Sequence, residues 1–156
     1  MASIRYTKGD ATQPQGSGNK IIAHICNDLG NWGKGFVLAI SSRWETPETA
    51  YRAWHRGRSK NDFELGSLQL VQVAPYIWVA NMVAQHGMKT GSKGPPIRYE
   101  AVRKCLKKLA IEAKSLHASV HMPRLGCGLA GGRWEEIEPI VADELAEIEV
   151  TVYDFD

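Results

Sequence analysis

The 156-residue sequence has little cysteine, no long apolar run and no large excess of charge of either sign. Its three cysteines, Cys26, Cys105 and Cys127, lack CxxC spacing, which indicates reduced thiols rather than disulfides or a zinc site. No segment reaches the roughly 18 consecutive apolar residues of a membrane span, and Met1 to Tyr6 lacks the apolar stretch of a signal peptide. The formal net charge of +2 is too small to indicate nucleic-acid binding. We therefore expect a cytoplasmic protein with no membrane or nucleic-acid partner and no metal or cofactor.

The chain length fits one domain, residues 1–156, because no repeat, low-complexity tract or linker divides it. Apolar periodicity and turn residues predict strands at 4–6, 20–26, 68–73, 76–83, 118–122 and 149–153. The same patterns predict helices at 33–42, 47–54, 99–116 and 134–146, and a loop at 87–96. Strands that alternate with helices in this way indicate an α/β fold with a largely parallel sheet.

Two glycine-containing segments each run from a predicted strand into a predicted helix. They are residues 24–36 (HICNDLGNWGKGF) and 122–134 (MPRLGCGLAGGRW). Ligands of open α/β sheets bind at the carboxyl ends of strands, and glycine lets backbone N–H groups approach phosphate oxygens. We interpret the two segments as an anion site; the alternative is that the glycines serve only tight turns and helix caps. Neither a Walker A motif nor a dinucleotide-binding fingerprint fits the spacing.

Four segments in the correct order resemble a macrodomain, the ADP-ribose-binding module. Residues 9–12 (GDAT) resemble the GDIT motif after the family's first strand, and residues 24–37 align without gaps on its N-A-A-N…G-G-G loop. Residues 123–134 resemble the second, diphosphate-binding loop, and residues 150–155 (VTVYDF) resemble the closing strand. The resemblance covers essentially the whole chain. It is strongest to the branch that includes the terminal ADP-ribose protein glycohydrolases and the ADP-ribose-1″-phosphatases.

The resemblance implies a three-layer α/β/α sandwich with a mixed, mostly parallel sheet of about six strands. It implies that Asp10 contacts adenine, that Asn27 contacts the distal ribose, and that Phe155, or as second choice Tyr153, stacks on adenine. Trp32 stands beside the first loop glycine, where it could wall the distal ribose. The expected ligand contacts are Asp10, Ala11, Asn27, Trp32, Gly33, Lys34, Gly35, Phe36, Leu125, Gly126, Cys127, Gly128, Leu129, Ala130, Tyr153 and Phe155.

The catalytic residues of related hydrolases are not matched. An aspartate after the glycine triplet is replaced by Val37, and a lysine and an aspartate of the glycohydrolase branch fall at Gln85 and Ala130. The remaining catalytic candidates are polar residues at the ends of the predicted strands, namely His24, Asn27, Asp28 and Gln85, with His86 beside them. We expect Asp28 to act as base for a water and Asn27 to orient the ribose.

Each candidate also has a purely structural interpretation. His24 could be a satisfied core histidine, Asp28 an Asx-turn residue, and Gln85 the end of a strand. Cys127 between glycines superficially resembles a nucleophile elbow, but the macrodomain resemblance makes it a backbone donor to phosphate.

Three functions follow from the resemblance. The first is a hydrolase that removes mono-ADP-ribose from proteins, from acidic side chains. The second is a reader that binds ADP-ribose without turnover, favoured by the missing aspartate and lysine. The third is an ADP-ribose-1″-phosphatase or O-acetyl-ADP-ribose deacylase. The expected partner is ADP-ribose or an ADP-ribosylated protein, and we expect the chain to be a monomer.

Overall fold

A computed structural model describes residues 4–87, 96–128 and 130–155. Within these ranges, strands and helices alternate as the sequence patterns predict. In chain order the elements are β1 (Ile4–Lys8), β2 (Lys20–Asn27), α1 (Phe36–Ser41), α2 (Thr46–Arg56), β3 (Leu68–Ala74), β4 (Ile77–Gln85), α3 (Tyr99–Leu116), β5 (Ser119–Met122), α4 (Trp134–Glu144) and β6 (Val150–Asp154). Among the described helices, none is long and apolar enough to cross a membrane.

The strands form one mixed sheet in the order β1-β6-β5-β2-β4-β3. β3 and β4 are antiparallel because only Pro75 and Tyr76 separate them, and a two-residue turn cannot return the chain for a parallel pair. The other neighbours are parallel, since helices or long segments connect them. β2 and β5 are neighbours in this order, and because they are parallel their carboxyl ends lie at the same edge of the sheet.

Helices cover both faces of the sheet. In β2, Ile21 and Ala23 pack into the core beneath α3 and α4, while Ile22 and Cys26 pack beneath α1 and α2. This two-sided burial explains why β2 reads as a continuous apolar run. The predicted three-layer sandwich with a mixed, mostly parallel sheet of six strands is confirmed.

Several elements begin or end one to three residues from their predicted boundaries; for example, β1 extends to Lys8 and α4 ends at Glu144. The first helix begins at Phe36 rather than at Gly33, because Gly33 and Gly35 have φ of 82° and 87°, outside the helical range. A short 3₁₀ turn at Arg58–Lys60, which no sequence pattern predicted, follows α2. Most of the loop predicted at 87–96 lies outside the described residues.

Candidate functional site

A groove with a volume of about 320 Å³ lies where the loops after β2 and β5 meet. It is lined by residues of both loops and of the β4 end: His24, Ile25, Lys34, Gly35, Phe36, Val37, Gln85, Pro123, Arg124, Leu125, Gly126, Gly128 and Ala130. The structure thus brings together seven of the predicted contacts at one place, namely Lys34, Gly35, Phe36, Leu125, Gly126, Gly128 and Ala130. This location matches the general rule that ligands of α/β sheets bind beyond the carboxyl ends of the strands.

The first loop, between β2 and α1, owes its shape to Asn27. The side-chain oxygen of Asn27 accepts hydrogen bonds from the Leu29 amide at 2.9 Å and from the Tyr51 hydroxyl at 2.9 Å. Its side-chain nitrogen donates to the carbonyl of Asn31. Asn27 is buried and does not line the groove. The structure therefore gives it a loop-bracing role, and its predicted contact with the ribose stays a prediction.

Gly35 opens the first loop toward the groove. A Cβ atom at Gly35 would meet no atom within 4 Å. The space beside it is therefore free for a ligand, and any larger side chain would enter that space. Gly33 has a positive φ as well but does not line the groove.

The second loop, between β5 and α4, folds back on itself through glycines. The Gly132 amide donates to the Gly126 carbonyl at 2.7 Å, and the Gly131 amide donates to the Gly128 carbonyl at 3.0 Å. A Cβ atom on Gly132 would lie 2.5 Å from the Gly126 carbonyl oxygen, so only glycine allows this approach. Leu125 is 1% exposed and anchors the loop in the core. The predicted contact Leu129 lies outside the described residues.

Cys127 has the environment of an inert thiol. It is half-buried, and burial raises the pKa of the thiol, with the nearby Arg124 acting in the opposite direction. A thiol whose pKa is raised carries little thiolate at neutral pH. Cys127 does not itself line the groove, so the structure offers no support for a cysteine nucleophile.

His24 and Gln85 are the two predicted catalytic residues that line the groove. His24 is 2% exposed, and its Nε2 lies 2.5 Å from the side-chain oxygen of Asn81. Burial lowers the pKa of His24 to about 4, against the weaker opposite effect of the Asn81 hydrogen bond. The ring is therefore neutral at physiological pH. Gln85 donates from Nε2 to the Gly87 carbonyl at 2.9 Å.

Asp28 is not among the residues that line the groove. One carboxylate oxygen is 2.6 Å from Nδ1 of His86, and the other accepts the Gly87 amide at 2.9 Å. The Asp28 amide also donates to the Gln85 carbonyl at 2.9 Å. These contacts tie the end of β2 to the end of β4. The predicted role of Asp28 as a base thus lacks contact with the groove, because His86 and Gly87 occupy its carboxylate.

Asp10 and Phe155 lie at the neighbouring part of the same edge, outside the groove lining. The Gly9 amide donates to the Asp154 carbonyl at 3.0 Å, which brings the two segments together. One Asp10 oxygen accepts from the Thr12 amide and hydroxyl, at 2.8 and 2.7 Å. The Phe155 side chain is 79% exposed, so its ring is accessible for stacking. Ala11, also predicted as a contact, is buried.

Two predicted aromatic contacts are buried in the protein. Tyr153 is 3% exposed, and its hydroxyl accepts the Gln15 amide and bonds to Nδ1 of His121. It has no free ring face for adenine, which leaves Phe155 as the stacking candidate. Trp32 is 5% exposed, and its indole nitrogen donates to the Val37 carbonyl and the Ser41 hydroxyl. Trp32 therefore secures α1 and does not wall the groove.

Arg124 is a groove residue that the sequence prediction missed. Its guanidinium donates to both carboxylate oxygens of Asp154, at 2.7 and 3.1 Å, and lies over the rings of Tyr6 and Trp134. The Arg124 charge is therefore balanced by Asp154, and the exposed Lys34 supplies an unbalanced positive charge beside the groove, which favours an anionic ligand. A signal existed in the sequence, because a basic residue stands two positions after the end of β5, at the start of a glycine loop.

Known proteins resemble this chain over its full length. No protein-family model matches the sequence. A macrodomain protein from Streptomyces coelicolor, known from a solved structure, is 58% identical with a TM-score of 0.88, and the match covers 97% of this chain and 99% of that one. Mouse chromodomain-helicase-DNA-binding protein 1-like is 31% identical over 97% of this chain, which spans only 17% of that protein. An ADP-ribose 1″-phosphate phosphatase from Lodderomyces elongisporus is 26% identical over 99% of both chains.

The mixed six-stranded sheet, its two glycine loops and the groove between them define an α/β protein of the macrodomain type. The chain belongs to the macrodomain family, because it shares 58% identity over nearly its whole length with a macrodomain protein. The predicted family is therefore confirmed. The full-length similarity to the phosphatase agrees with the predicted branch of the family.

Proposed function

We propose that this macrodomain is an ADP-ribose-processing hydrolase that removes mono-ADP-ribose from acidic side chains of proteins. The observation that carries the proposal is the groove between the two glycine loops, with the exposed Lys34 beside it. Positive charge and open space near glycine both favour a nucleoside diphosphate. Full-length relatives that are named as ADP-ribose 1″-phosphate phosphatases support ADP-ribose processing in general. Removal from proteins is the finer part of the proposal.

The chemistry proposed for the groove requires no strong nucleophile. Cleavage of an ester between a carboxylate and ribose C1″ passes through an oxocarbenium-like state that needs charge stabilisation and a positioned water. The substrate's own diphosphate supplies negative charge close to C1″. The neutral side chains of His24 and Gln85 line the same groove and are available to hold the ribose and the water. Val37 and Ala130, where related enzymes carry carboxylates, also line it.

Phosphate removal from ADP-ribose-1″-phosphate is the second candidate, and the phosphatase relatives favour it. Both reactions use the same diphosphate-binding loops and differ in the group attached at C1″. A pure reader function would leave that group in place. The three candidates therefore differ in turnover and share the bound ADP-ribose unit.

One experiment separates these candidates. The protein is incubated with a glutamate-linked mono-ADP-ribosylated substrate and, in parallel, with ADP-ribose-1″-phosphate, and released ADP-ribose and phosphate are quantified. Calorimetry with free ADP-ribose measures binding. We expect binding together with release from the protein substrate. Phosphate release alone would favour the second candidate, binding without any release would favour a reader, and no binding would contradict the proposal.

A pair of glycine variants tests the location of the site. Gly35→Glu places a carboxylate in the groove, and Gly18→Glu is its control. Both glycines have a positive φ, 87° and 80°, and neither Cβ would meet an atom within 4 Å, so both replacements carry similar backbone strain. We expect Gly35→Glu to lose ADP-ribose binding while Gly18→Glu keeps it. Equal affinity in the two folded variants would refute this location.

A further inference from the structure

His24 carries a buried nitrogen that has no partner. In the part of the chain that the structure describes, Nδ1 of His24 is the buried side-chain nitrogen or oxygen atom without a hydrogen-bond partner. Buried polar atoms are nearly always paired, and an orphan costs free energy, so it calls for an explanation. His24 also lines the groove of the proposed substrate site. A bound ligand could supply the missing partner once a small movement of the groove wall exposes Nδ1, which is buried in the free protein.

A chain of hydrogen bonds fixes which ring nitrogen carries the proton. Gln69 donates from Nε2 to the Ala50 carbonyl at 3.0 Å, which turns its side-chain oxygen toward Asn81. Asn81 donates from Nδ2 to that oxygen at 3.0 Å and to the Pro47 carbonyl at 3.1 Å. Backbone carbonyls only accept, so both amide orientations are determined. The Asn81 oxygen then has to accept, and Nε2 of His24 has to carry its proton.

The same chain leaves Nδ1 of His24 as a lone-pair acceptor. A second proton on the ring is disfavoured, because burial lowers the pKa of His24 to about 4. The ring is held between Trp32, with centroids 5.4 Å apart, and Phe36, at 6.1 Å, while Cys26 Sγ lies 3.8 Å from Nε2. The position of the acceptor is therefore well defined.

We infer that Nδ1 of His24 accepts a hydrogen bond from a hydroxyl group of the ligand, directly or through one water, and that Asn81 and Gln69 position it by imposing the Nε2–H tautomer. This inference rests on the proposed function, in which the ribose remote from adenine supplies the hydroxyl. A fully ionised phosphate has no proton to donate, so the acceptor disfavours phosphate oxygens at this point. His24 thus contributes to specificity for the sugar.

Nitrogen NMR on the wild-type protein tests the inference directly. The protein is labelled with ¹⁵N in histidine, and long-range proton–nitrogen spectra identify the protonated nitrogen of each ring. We expect Nδ1 of His24 to be unprotonated in the free protein. Its ¹⁵N resonance should shift toward that of a hydrogen-bonded nitrogen when ADP-ribose is added, and should not shift with ADP, which lacks the distal ribose.

The outcomes separate this inference from the proposed function. A protonated Nδ1 in the free protein, or a Nδ1 resonance that stays unchanged while calorimetry shows saturation with ADP-ribose, would overturn the inference and leave the proposed binding intact. Failure of ADP-ribose to bind at all would overturn both. An equal shift with ADP would also contradict the assignment to the distal ribose.

Asn81→Leu tests the positioning role. This variant removes the acceptor for Nε2, so the tautomer is no longer imposed and the NMR spectra should show a mixture of the two tautomers, with part of the population protonated at Nδ1. Loss of one ligand hydrogen bond should weaken ADP-ribose affinity by about three- to tenfold, with ADP affinity unchanged. Gln72→Leu on β3 is the control, because the Gln72 side chain is exposed and donates to the carbonyls of Ala74 and Pro75 at the far end of the strand pair. An equal loss of affinity for ADP-ribose and ADP would indicate that Asn81 has only a general structural role. Should Asn81→Leu fail to fold, the wild-type spectra still decide.

Discussion

Acidification should destabilise this protein steeply because two histidines are buried without charge. His24 and His121 are each 2% exposed, and each has a pKa of about 4 in place of the ordinary 6.5. Burial is the main cause for both, and the charges of Lys20 and Arg5 lower the pKa of His121 further. His121 is held by the Ser119 hydroxyl and the Tyr153 hydroxyl, each at 2.7 Å. Protonation of either ring in the folded protein is therefore disfavoured until the pH falls to about 4.

The direction and size of the effect follow from proton linkage. Above pH 6.5 the two histidines are neutral in both the folded and the unfolded protein, so the free energy of unfolding has its full value. Below pH 6.5 the unfolded chain binds protons at these histidines that the folded chain does not bind, and the folded state is destabilised. Stability is therefore lost as the pH falls from 6.5 toward 4, where the folded rings also protonate. One pKa unit corresponds to about 1.4 kcal/mol, so each ring removes about 3 kcal/mol over this window. Two rings together approach the whole stability of an average domain, about 5–15 kcal/mol.

Urea denaturation followed by circular dichroism, repeated at several pH values between 4.5 and 7.5, measures the effect. On the steepest part of the plot against pH, the unfolded chain binds nearly two more protons than the folded chain. The free energy of unfolding should therefore fall by about 2.7 kcal/mol per pH unit there. His24→Gln and His121→Gln should each remove about one proton from the slope, and the double variant should keep only the smaller slope of other groups with a lowered pKa, such as His55. A folded double variant whose slope is as steep as that of the wild type would refute the reasoning.

Two further variants test how the loops are built. Gly132→Ala puts a Cβ 2.5 Å from the Gly126 carbonyl oxygen, so the second loop has to shift; we expect about a tenfold or greater loss of ADP-ribose affinity in calorimetry, with an unchanged circular dichroism spectrum. Wild-type affinity would contradict the link between this close approach and binding. Tyr51→Phe removes the hydroxyl that bonds to Asn27, which should lower the free energy of unfolding by about 1–3 kcal/mol in urea. No change would show that Tyr51 does not brace the first loop.

Much of the fold could be predicted from local sequence patterns. The apolar run of β2 and the three- and four-residue periodicity of α3 depend only on neighbouring residues. The glycine loops could be placed because a strand precedes each and a helix follows. The start of α1 was wrong by three residues, since the φ of Gly33 and Gly35 is a property of the folded loop.

The direction of individual side chains could not be predicted in the same way. Asn27 turns toward Tyr51, Trp32 toward Ser41, and Tyr153 toward His121, each a partner determined by tertiary packing. The two glycine-containing segments therefore predicted the position of the groove, but they could not predict which of their own residues line it. The cytoplasmic location, the monomeric state and the single-domain boundary at 1–156 stay predictions.

The adjacency of β2 and β5 has a consequence for how the groove is detected. The loops that follow these strands are separated by nearly the whole middle of the chain, including β3, β4 and α3. β2 and β5 are nevertheless direct neighbours in the sheet, so a fragment that ends before β5 has no groove. A ligand of the groove therefore binds the folded protein and not the unfolded chain. At a hundred times its dissociation constant, it raises the free energy of unfolding of the whole protein by about 2.7 kcal/mol. Thermal melting of the unlabelled protein is therefore sufficient to screen nucleotides, because occupancy of one small groove raises the melting temperature of the entire sheet.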